Sequence, residues 1–164
     1  MPANKTARPR SGTSLRQLGQ PTPLPASPQD ALLERVPNPH ADVRYVARFS
    51  APEFTSLCPI TGQPDFATIR IRYVPDRKCV ELKSLKLYLW SFRDEGAFHE
   101  AVTHEICNKI AKLIKPRYLR VVGDFFVRGG IHTVVRVSVG AVPKALAGEP
   151  DPETAAFSST PGFS

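Results

Sequence analysis

Residues 54–65 read Phe54-Thr-Ser-Leu-Cys-Pro-Ile-Thr-Gly-Gln-Pro-Asp65, an apolar approach to one cysteine followed by a loop rich in proline and glycine. The two prolines remove backbone donors and fix φ, and Gly62 permits a turn that other residues resist. The loop is therefore stiff, and it can set Cys58 and Asp65 facing one another. A thiol beside a carboxylate suits a cysteine nucleophile with a proton donor. The same pattern fits a half-buried cysteine and an aspartate that caps a turn.

Alternating residues on both sides of this loop predict two strands. Apolar side chains recur at every second position from Val43 to Phe49 and again from Ala67 to Tyr73, which is the period of a β-strand. The cysteine loop therefore lies between two predicted strands.

After these strands the apolar period lengthens to three and four residues, which predicts two helices. Leu82, Leu85 and Leu89 mark the first helix. The second extends from Phe98 to Leu113 and is stopped by Pro116.

Two more strands complete the pattern, because residues 118–128 and 131–139 flank Gly129-Gly130, a short hairpin signal. The order strand, strand, helix, helix, strand, strand predicts an α+β domain. Apolar pairs such as Val121-Val122 and Val134-Val135 face both sides of the last strands, whereas two helices can cover only one face of a sheet. We therefore expect a homo-oligomer in which sheets join edge to edge.

The positive charge is concentrated at the N-terminus. The sequence contains 22 Lys and Arg against 15 Asp and Glu, a net charge of +7, but four of the basic residues precede the first acid, Asp30. Without these four, 18 basic and 15 acidic residues leave a net charge of +3. The high pI is thus weak support for a nucleic-acid-binding domain, and we expect no direct nucleic-acid partner.

Composition also predicts the domain boundaries. We expect residues 1–38 to be a disordered, proline-rich basic tail, residues 39–142 to form the folded domain, and residues 143–164 to be a second disordered tail.

Cysteine usage indicates a reducing compartment. Cys58, Cys79 and Cys107 are odd in number and include no CxxC pair, which argues against a disulfide framework or a structural zinc knuckle. No apolar run has the length of a membrane span, and the N-terminus lacks the hydrophobic segment of a signal peptide. We therefore expect a cytoplasmic location and no membrane partner.

Two further stretches carry candidate binding residues. In Val80-Glu-Leu-Lys-Ser-Leu-Lys-Leu-Tyr88, Lys83 and Lys86 share one helix face and are placed to hold phosphate oxygens, although a solvated charged face fits equally. At the start of the second helix, Glu100 lies in the positive field of the helix N-terminus and should remain ionised, which capping electrostatics alone would explain.

Together these stretches resemble a known family. The cysteine loop, the Glu-x-Lys-Ser-Leu-Lys motif at residues 81–86, Phe98-His-Glu100 and Gly123-Asp-Phe-Phe-Val-Arg-Gly-Gly-Ile131 occur in the order found in the QueF-type NADPH-dependent 7-cyano-7-deazaguanine reductases, in their short, single-module form. The resemblance covers residues 40–140. It implies the tunnelling fold (T-fold), a four-stranded antiparallel sheet with two helices on one face, which assembles into an oligomeric barrel such as a decamer of two pentamers.

The resemblance also implies a reaction. The family reduces the nitrile of 7-cyano-7-deazaguanine to the primary amine with two molecules of NADPH, a step in tRNA queuosine biosynthesis. Cys58 matches the family nucleophile, which forms a covalent thioimidate, and Asp65 matches its proton donor. His99 matches a position that assists proton transfer or closes the pocket over the bound substrate.

Substrate recognition is implied for two short segments. Glu100 beside His99 matches the carboxylate that accepts two neighbouring donors of a guanine-like ring. Val80, Glu81 and Leu82 match the second substrate-contacting segment, with leucine at a position where many relatives have serine.

For NADPH, Lys83, Lys86 and Arg128 are the candidate phosphate contacts, with Arg128 the weakest of the three. No Gly-x-Gly-x-x-Gly follows a strand, so we expect no Rossmann unit. We expect no metal either.

Two other functions remain open at this point. The first is a zinc-dependent, pterin-type cyclohydrolase of the same fold. Such an enzyme needs several cysteine or histidine zinc ligands at suitable spacing, and the three cysteines lie in separate predicted elements. His99 and His104 would point roughly 140° apart around a helix and could not hold one metal. A non-enzymatic basic module that binds tRNA is the second alternative, against which the tail-weighted charge argues.

Overall fold

The computed structural model describes residues 15, 16, 19 and 22–147. Within these residues six strands and three helices follow one another, with a 3₁₀ turn at Ser91–Asp94 between the first two helices. In order they are β1 (Arg35–Pro37), β2 (Ala47–Leu57), β3 (Pro64–Val74), β4 (Lys78–Val80), α1 (Leu82–Trp90), α2 (His99–Ile114), β5 (Tyr118–Arg128), β6 (Ile131–Val139) and α3 (Lys144–Ala147).

The expected α+β class is confirmed. The long strands form a four-stranded antiparallel sheet in the order β2-β3-β5-β6, and β1 pairs with β4 in a small second sheet. Both glycines of the predicted hairpin, Gly129 and Gly130, have positive φ of 60° and 77°, as a two-residue turn between β5 and β6 requires.

The first long strand differs from its prediction. The alternating pattern indicated a strand at residues 43–49, whereas β2 begins at Ala47 and continues to Leu57. Its register against β3 shifts by one residue between Ala51 and Phe54, which is a β-bulge. The bulge moves the following residues to the opposite face, so the apolar alternation cannot be followed through it.

The core lies between one face of the large sheet and α2. On β3, Ala67, Ile69, Ile71 and Tyr73 are buried, as every second residue of a half-covered strand should be. Against them packs the apolar stripe of α2: Val102, Ile106, Ile110 and Ile114. The residues that the sequence predicted as the apolar face of this helix are therefore the ones that pack against the sheet.

The opposite face of the sheet, here called the open face, is more polar than the apolar pairs suggested. Val122 is buried there at 1% exposure, but arginines occupy several neighbouring positions, including Arg70, Arg72 and Arg120. At one end of this face Leu146 of α3 packs against Val74 and Tyr118.

The predicted boundaries at residues 39 and 142 differ from the structure. Ala31 and Leu33 are buried in the core at 5% and 7% exposure, and Arg35–Pro37 pairs with Lys78–Val80. The prediction of a disordered segment is therefore wrong for residues 22–38, because apolar side chains between the prolines supply core contacts. It is likewise wrong for residues 143–147, which form α3. The rest of both predicted tails, apart from residues 15, 16 and 19, lies outside the described residues.

Candidate active site

The loop between β2 and β3 holds Cys58 and Asp65 at one end of the large sheet. Its backbone closes on itself, because the N–H of Cys58 donates to the carbonyl of Gln63 at 2.8 Å and the N–H of Gly62 donates to the carbonyl of Cys58 at 2.9 Å. Gly62 has φ of +69°, the left-handed conformation that its place in the sequence predicted. Cys58 is buried at 9% exposure and Asp65 at 5%.

The loop is built to hold a thiolate. The hydroxyl of Thr61 lowers the pKa of Cys58 most, followed by the backbone N–H groups of Thr61 and Ile60 and by the side chain of Arg128, while burial acts in the opposite direction. Together these groups lower the pKa of Cys58 from its ordinary value of 9.0 to about 6. Because a thiolate is the nucleophilic form of cysteine, most of Cys58 is ready to react at neutral pH.

Asp65 lies between two nitrogen donors. Nη1 of Arg128 donates to Oδ1 of Asp65, and Nε2 of His99 lies 3.4 Å from Oδ2. The side chain of Arg128 also approaches Cys58. Cys58 and Asp65 together raise the pKa of the Arg128 guanidinium. One arginine therefore connects the thiolate to the carboxylate.

The start of α2 is positioned by a short extension of the sheet. The N–H of Leu57 donates to the carbonyl of Glu95 at 2.9 Å, and the N–H of Ala97 donates to the carbonyl of Leu57 at 3.0 Å. This short parallel pairing lies at the outer edge of β2, immediately before Cys58. It fixes the segment that leads into α2, whose first residue is His99.

Two neighbours fix His99 itself. Its ring stacks on Phe125 of β5 with a centroid separation of 3.8 Å and an interplanar angle of 11°. Its carbonyl accepts a hydrogen bond of 2.8 Å from the hydroxyl of Thr103 one turn later. The next residue, Glu100, is exposed in the first turn of α2.

Ser56 is a buried neighbour of this cluster. It stands directly opposite Asp65 in the register of β2 and β3, and it is 0% exposed. Its hydroxyl has no hydrogen-bond partner among the described residues.

The second predicted binding segment lies at the start of α1. The carboxylate of Glu81 caps this helix, accepting from the N–H of Lys83 at 2.9 Å and from the N–H of Ser84 at 2.7 Å. Val80 is buried and its N–H donates to the hydroxyl of Tyr73, whereas Leu82 is 58% exposed. A substrate contact by Glu81 stays a prediction, and its side chain already has a structural role.

A groove of about 450 Å³ runs beside α1 and the edge of β2. Leu82 and Lys86 line it, together with Trp90 and Arg93, whose guanidinium lies 3.3 Å from the centroid of the indole ring. Lys83 instead donates to the hydroxyl of Thr22 at 3.1 Å.

The structure thus separates the predicted site residues into two groups. Cys58, Asp65, His99 and Arg128 come together at the end of the sheet, while Leu82 and Lys86 line the groove, which none of those four residues borders. Within this first group, the residue pattern predicted the thiol of Cys58 beside the carboxylate of Asp65, and the family resemblance implied His99. Arg128 was expected as a phosphate contact.

Several residues of the site were not predicted. Thr61 lies in the cysteine loop, where a hydroxyl three residues after the thiol was a usable signal. The stacking of Phe125 on His99 and the position of Ser56 opposite Asp65 depend on strand register, which the sequence does not display.

Within the described part of the chain, no group of three or more histidine, cysteine or acidic residues is arranged to hold a metal ion. Over the same residues, no helix has the length and apolar character needed to cross a membrane. All three cysteines are free thiols.

Two known proteins that share one name are similar to this chain over most of its length. A protein of Methylorubrum extorquens (strain PA1) named NADPH-dependent 7-cyano-7-deazaguanine reductase is 65% identical over 134 residues, which are 82% of this chain and 88% of the relative. A protein of the same name from Anaeromyxobacter sp. (strain Fw109-5) is 65% identical over 114 residues, 70% of this chain and 93% of the relative.

The fold is similar to the crystal structure of the archaeosine synthase QueF-Like in the apo form, with a TM-score of 0.50 and 24% identity over 62% of this chain and 95% of that chain. The family described as QueF-like protein matches residues 64–144. With the similarity to the two reductases, this match shows that the chain belongs to the QueF-like family.

Proposed function

We propose that this chain is an NADPH-dependent 7-cyano-7-deazaguanine reductase that works through a covalent intermediate on Cys58. The names of its 65% identical relatives support the reaction. The observation that carries the mechanism is the thiolate of Cys58, with a pKa of about 6, held next to the Asp65–Arg128 pair.

The first step is addition of the thiolate to the nitrile carbon. The Sγ–C bond forms as one C≡N π bond breaks, and the nitrogen takes a proton to give a thioimidate. Asp65 and His99 are the groups placed to pass that proton, since Nε2 of His99 lies 3.4 Å from the carboxylate. General acid help of this kind is worth about 10² to 10⁴ in rate.

Reduction needs two hydrides, which NADPH supplies when bound. After the first hydride reaches the thioimidate carbon, departure of the Cys58 thiolate leaves an imine, and the second hydride with a further proton gives the aminomethyl product. The low pKa of Cys58 assists both the addition of the thiolate to the nitrile and its later departure, because a stabilised thiolate is also a good leaving group.

The groove beside α1 has the chemistry that a dinucleotide phosphate requires. Lys86 and Arg93 provide cationic groups, and Trp90 provides an aromatic face. Lys83, in the first turn of α1, remains a candidate phosphate contact in the same region. Arg128 is a weaker candidate, because its guanidinium is engaged by Asp65 and lies beside Cys58.

Glu100 is proposed to recognise the deazaguanine ring. Its exposed carboxylate lies one residue from His99 and can accept the ring N–H and the adjacent amino group side by side. Leu82, which is 58% exposed beside the groove, would contact the substrate from the second group of site residues, and the predicted contact of Val80 would have to reach the substrate from the buried residue two positions earlier. Because the two groups occupy different surfaces of one chain, we infer that each pocket is completed by a second subunit.

An oligomeric barrel of the T-fold type accounts for the remaining surfaces. β2 and β6 are the two edges of the large sheet, and an exposed edge of this length is a template for pairing with another copy. Exposed apolar side chains also surround the Cys58 end of the sheet: Ile60, Phe66, Phe98, Phe126, Val127 and Ile131. Pairing of β2 with β6 of the next copy would be heterologous, and such pairing forms a ring where the rotation between copies closes.

Sedimentation tests the assembly. We expect a single oligomeric species at micromolar concentration, and a monodisperse monomer under the same conditions would exclude the shared pocket.

Activity is tested by following NADPH consumption with 7-cyano-7-deazaguanine and by measuring the intact mass of the protein with substrate alone. The wild type should oxidise two NADPH per substrate and should gain the mass of one substrate in the absence of cofactor. Cys58→Ala should lose both properties. Cys79→Ala is the matched control, since its thiol lies 3.4 Å from the hydroxyl of Tyr45 and away from the loop, and it should retain both. Native turnover by Cys58→Ala would refute the mechanism.

A further inference from the structure

Ser56 is a buried polar residue that the mechanism above does not use. It lies two residues before Cys58, and Phe54, Ser56 and Cys58 are all buried, as alternate residues on the covered face of a sheet are. Its side chain is 0% exposed, and its hydroxyl has no hydrogen-bond partner among the described residues. A buried hydroxyl without a partner costs stability, so one placed beside a nucleophile points to a partner that it gains during the reaction.

The polar side chain that Ser56 faces is that of Asp65. The two residues are directly paired in the register of β2 and β3, which brings their Cβ atoms to about 5 Å on one face of the sheet. Rotation about χ1 between staggered positions can carry the hydroxyl to hydrogen-bond distance of the carboxylate. The other neighbours on this face are poorer partners, because Phe54 has no acceptor and Cys58 takes its stabilising donors from its own loop and from Arg128.

The two oxygens of Asp65 are held differently. Oδ1 accepts a hydrogen bond from Nη1 of Arg128. Oδ2 lies 3.4 Å from Nε2 of His99, which is longer than the roughly 2.7 to 3.2 Å of an ordinary hydrogen bond. An ionised carboxylate has about four lone-pair positions for donors. Oδ2 can therefore accept a further donor, and the hydroxyl of Ser56 is the group opposite it.

We infer that Ser56 is a positioning residue that hydrogen-bonds the carboxylate of Asp65 when this acid delivers a proton to the substrate, an inference that rests on the proposed reductase mechanism. The proton passes from the carboxyl group of Asp65 to the nitrogen of the bound substrate. The carboxylate left behind accepts the O–H of Ser56, which keeps its own proton. A bond made only as this charge develops stabilises the transition state more than the bound substrate, so its removal lowers kcat and leaves KM nearly unchanged.

Ser56→Ala in the full chain is the first test, with NADPH oxidation followed at saturating 7-cyano-7-deazaguanine. We expect kcat to fall about 10- to 100-fold, because a hydrogen bond to a charged group is lost, and KM to stay within about threefold of wild type. The covalent adduct with substrate alone should still form. The variant should resist urea as well as wild type or better, since it removes a hydroxyl that has no partner in the free protein.

Ser91→Ala is the matched control. Ser91 is likewise buried, at 2% exposure, but its hydroxyl donates to the carbonyl of Tyr88 at 2.6 Å. This variant should unfold at a lower urea concentration than wild type and keep its kcat, the reverse of the result expected for Ser56→Ala. Ser56→Thr retains a hydroxyl and should restore most of the turnover lost in Ser56→Ala.

A double-mutant cycle tests whether Ser56 acts through Asp65. Single-turnover reduction of the covalent adduct by NADPH is compared in Asp65→Asn and in Asp65→Asn combined with Ser56→Ala. Because the carboxylate is already absent, the added Ser56→Ala change should slow reduction by no more than about twofold. An equal fold-loss from Ser56→Ala with and without Asp65 would show that the two residues act independently and would overturn the inference.

Two further results would also overturn it. One is a native kcat in Ser56→Ala. The other is unfolding of Ser56→Ala at a lower urea concentration than wild type, which would make the hydroxyl a structural group. Failure of the proposed function itself is distinguishable from these results, because the wild type would then consume no NADPH and form no adduct with the nitrile.

Discussion

Cys58 owes its reactivity to hydrogen-bond donors and not to solvent exposure. The hydroxyl and N–H of Thr61, the N–H of Ile60 and the side chain of Arg128 all favour its charged form, and together they outweigh burial. Cys107 shows the opposite case in the same molecule, since burial without such donors raises its pKa to about 11. The donors around Cys58 and the deeper burial of Cys107 thus place the pKa values of the two thiols at about 6 and about 11.

This difference predicts a selective pH profile for alkylation. The rate of iodoacetamide labelling at Cys58, resolved by peptide mass analysis, should rise with a midpoint near pH 6, because only the thiolate reacts. Thr61→Val should move the midpoint upward, since it removes the largest contribution. Cys107 in the same digests serves as the internal control and should remain unlabelled at neutral pH. A Cys58 midpoint close to 9 would contradict the loop's assigned role.

Asp65 can be separated from Cys58 by a near-isosteric change. Asp65→Asn keeps an oxygen that can accept from Arg128 but removes the acid that delivers protons. We expect the covalent substrate adduct to form still, and NADPH turnover to fall by about 10² to 10⁴. Asp124→Asn makes the same change on the open face and should leave turnover unaffected. Loss of the adduct together with turnover would mean that the carboxylate serves the addition step instead.

Among the elements, α2 and β5 act together to place His99. Gly123 of β5 lies beneath the first turn of the helix, and a Cβ added there would come within 2.6 Å of Oγ1 of Thr103 and 2.7 Å of the ring of Phe125. Both neighbours hold His99, one through its carbonyl and one through its ring. The glycine is therefore required for the close approach of these two elements.

Gly123→Ala should weaken both stability and catalysis. Overpacking of this kind costs about 1 to 3 kcal/mol of the free energy of unfolding, measured by urea denaturation. Turnover at a temperature where the variant is fully folded should also fall, because His99 is displaced. Gly96→Ala is the matched control: its added Cβ would meet only Pro59, with the nearest atom 3.4 Å away, so a smaller loss of stability is expected. Unchanged stability of Gly123→Ala would show that Thr103 and Phe125 can yield.

The sequence predicted those elements whose periodicity is uninterrupted and missed those that depend on long-range pairing. β3, α2, β5 and β6 were found within a few residues because each has one apolar face along its whole length. The predicted position of β2 was too early in the chain, because the bulge between Ala51 and Phe54 reverses the apolar alternation in the second half of the strand. The three-residue strands β1 and β4 have no period of their own, and only their mutual pairing defines them.

The candidate site divides along the same line. Cys58 and Asp65 were recognisable because residue type and a short loop carry their chemistry, whereas His99 was assigned through the family resemblance. The contact of Arg128 with Asp65 and the pairing of Arg72 with Arg120 depend on how the strands align, which brings together residues 63 and 48 positions apart in the chain. The period of apolar residues along one segment carries no information about such long-range pairs.

For the molecule as a whole, the segment before β2 is part of the fold. Leu33 is buried at 7% exposure in the main core, while its neighbour Leu32 is 41% exposed. The N–H of Glu34 donates to the hydroxyl of Ser84 at 2.9 Å, and the N–H of Glu81 donates to the carbonyl of Glu34 at 3.0 Å, so this segment also braces the start of α1.

Leu33→Ala should therefore lower the free energy of unfolding by about 2 to 5 kcal/mol, because it removes a buried side chain and leaves a cavity. Leu32→Ala is a control of identical chemistry one residue away, and an exposed change of this kind should cost no more than about 0.5 kcal/mol. Urea denaturation of the assembled protein at fixed concentration compares the two, since oligomerisation adds to apparent stability. Since the segment supports α1, and we propose that NADPH binds in the groove beside α1, Leu33→Ala should also weaken NADPH binding. If the two variants had the same free energy of unfolding, residues 22–38 would not contribute to the stability of the fold.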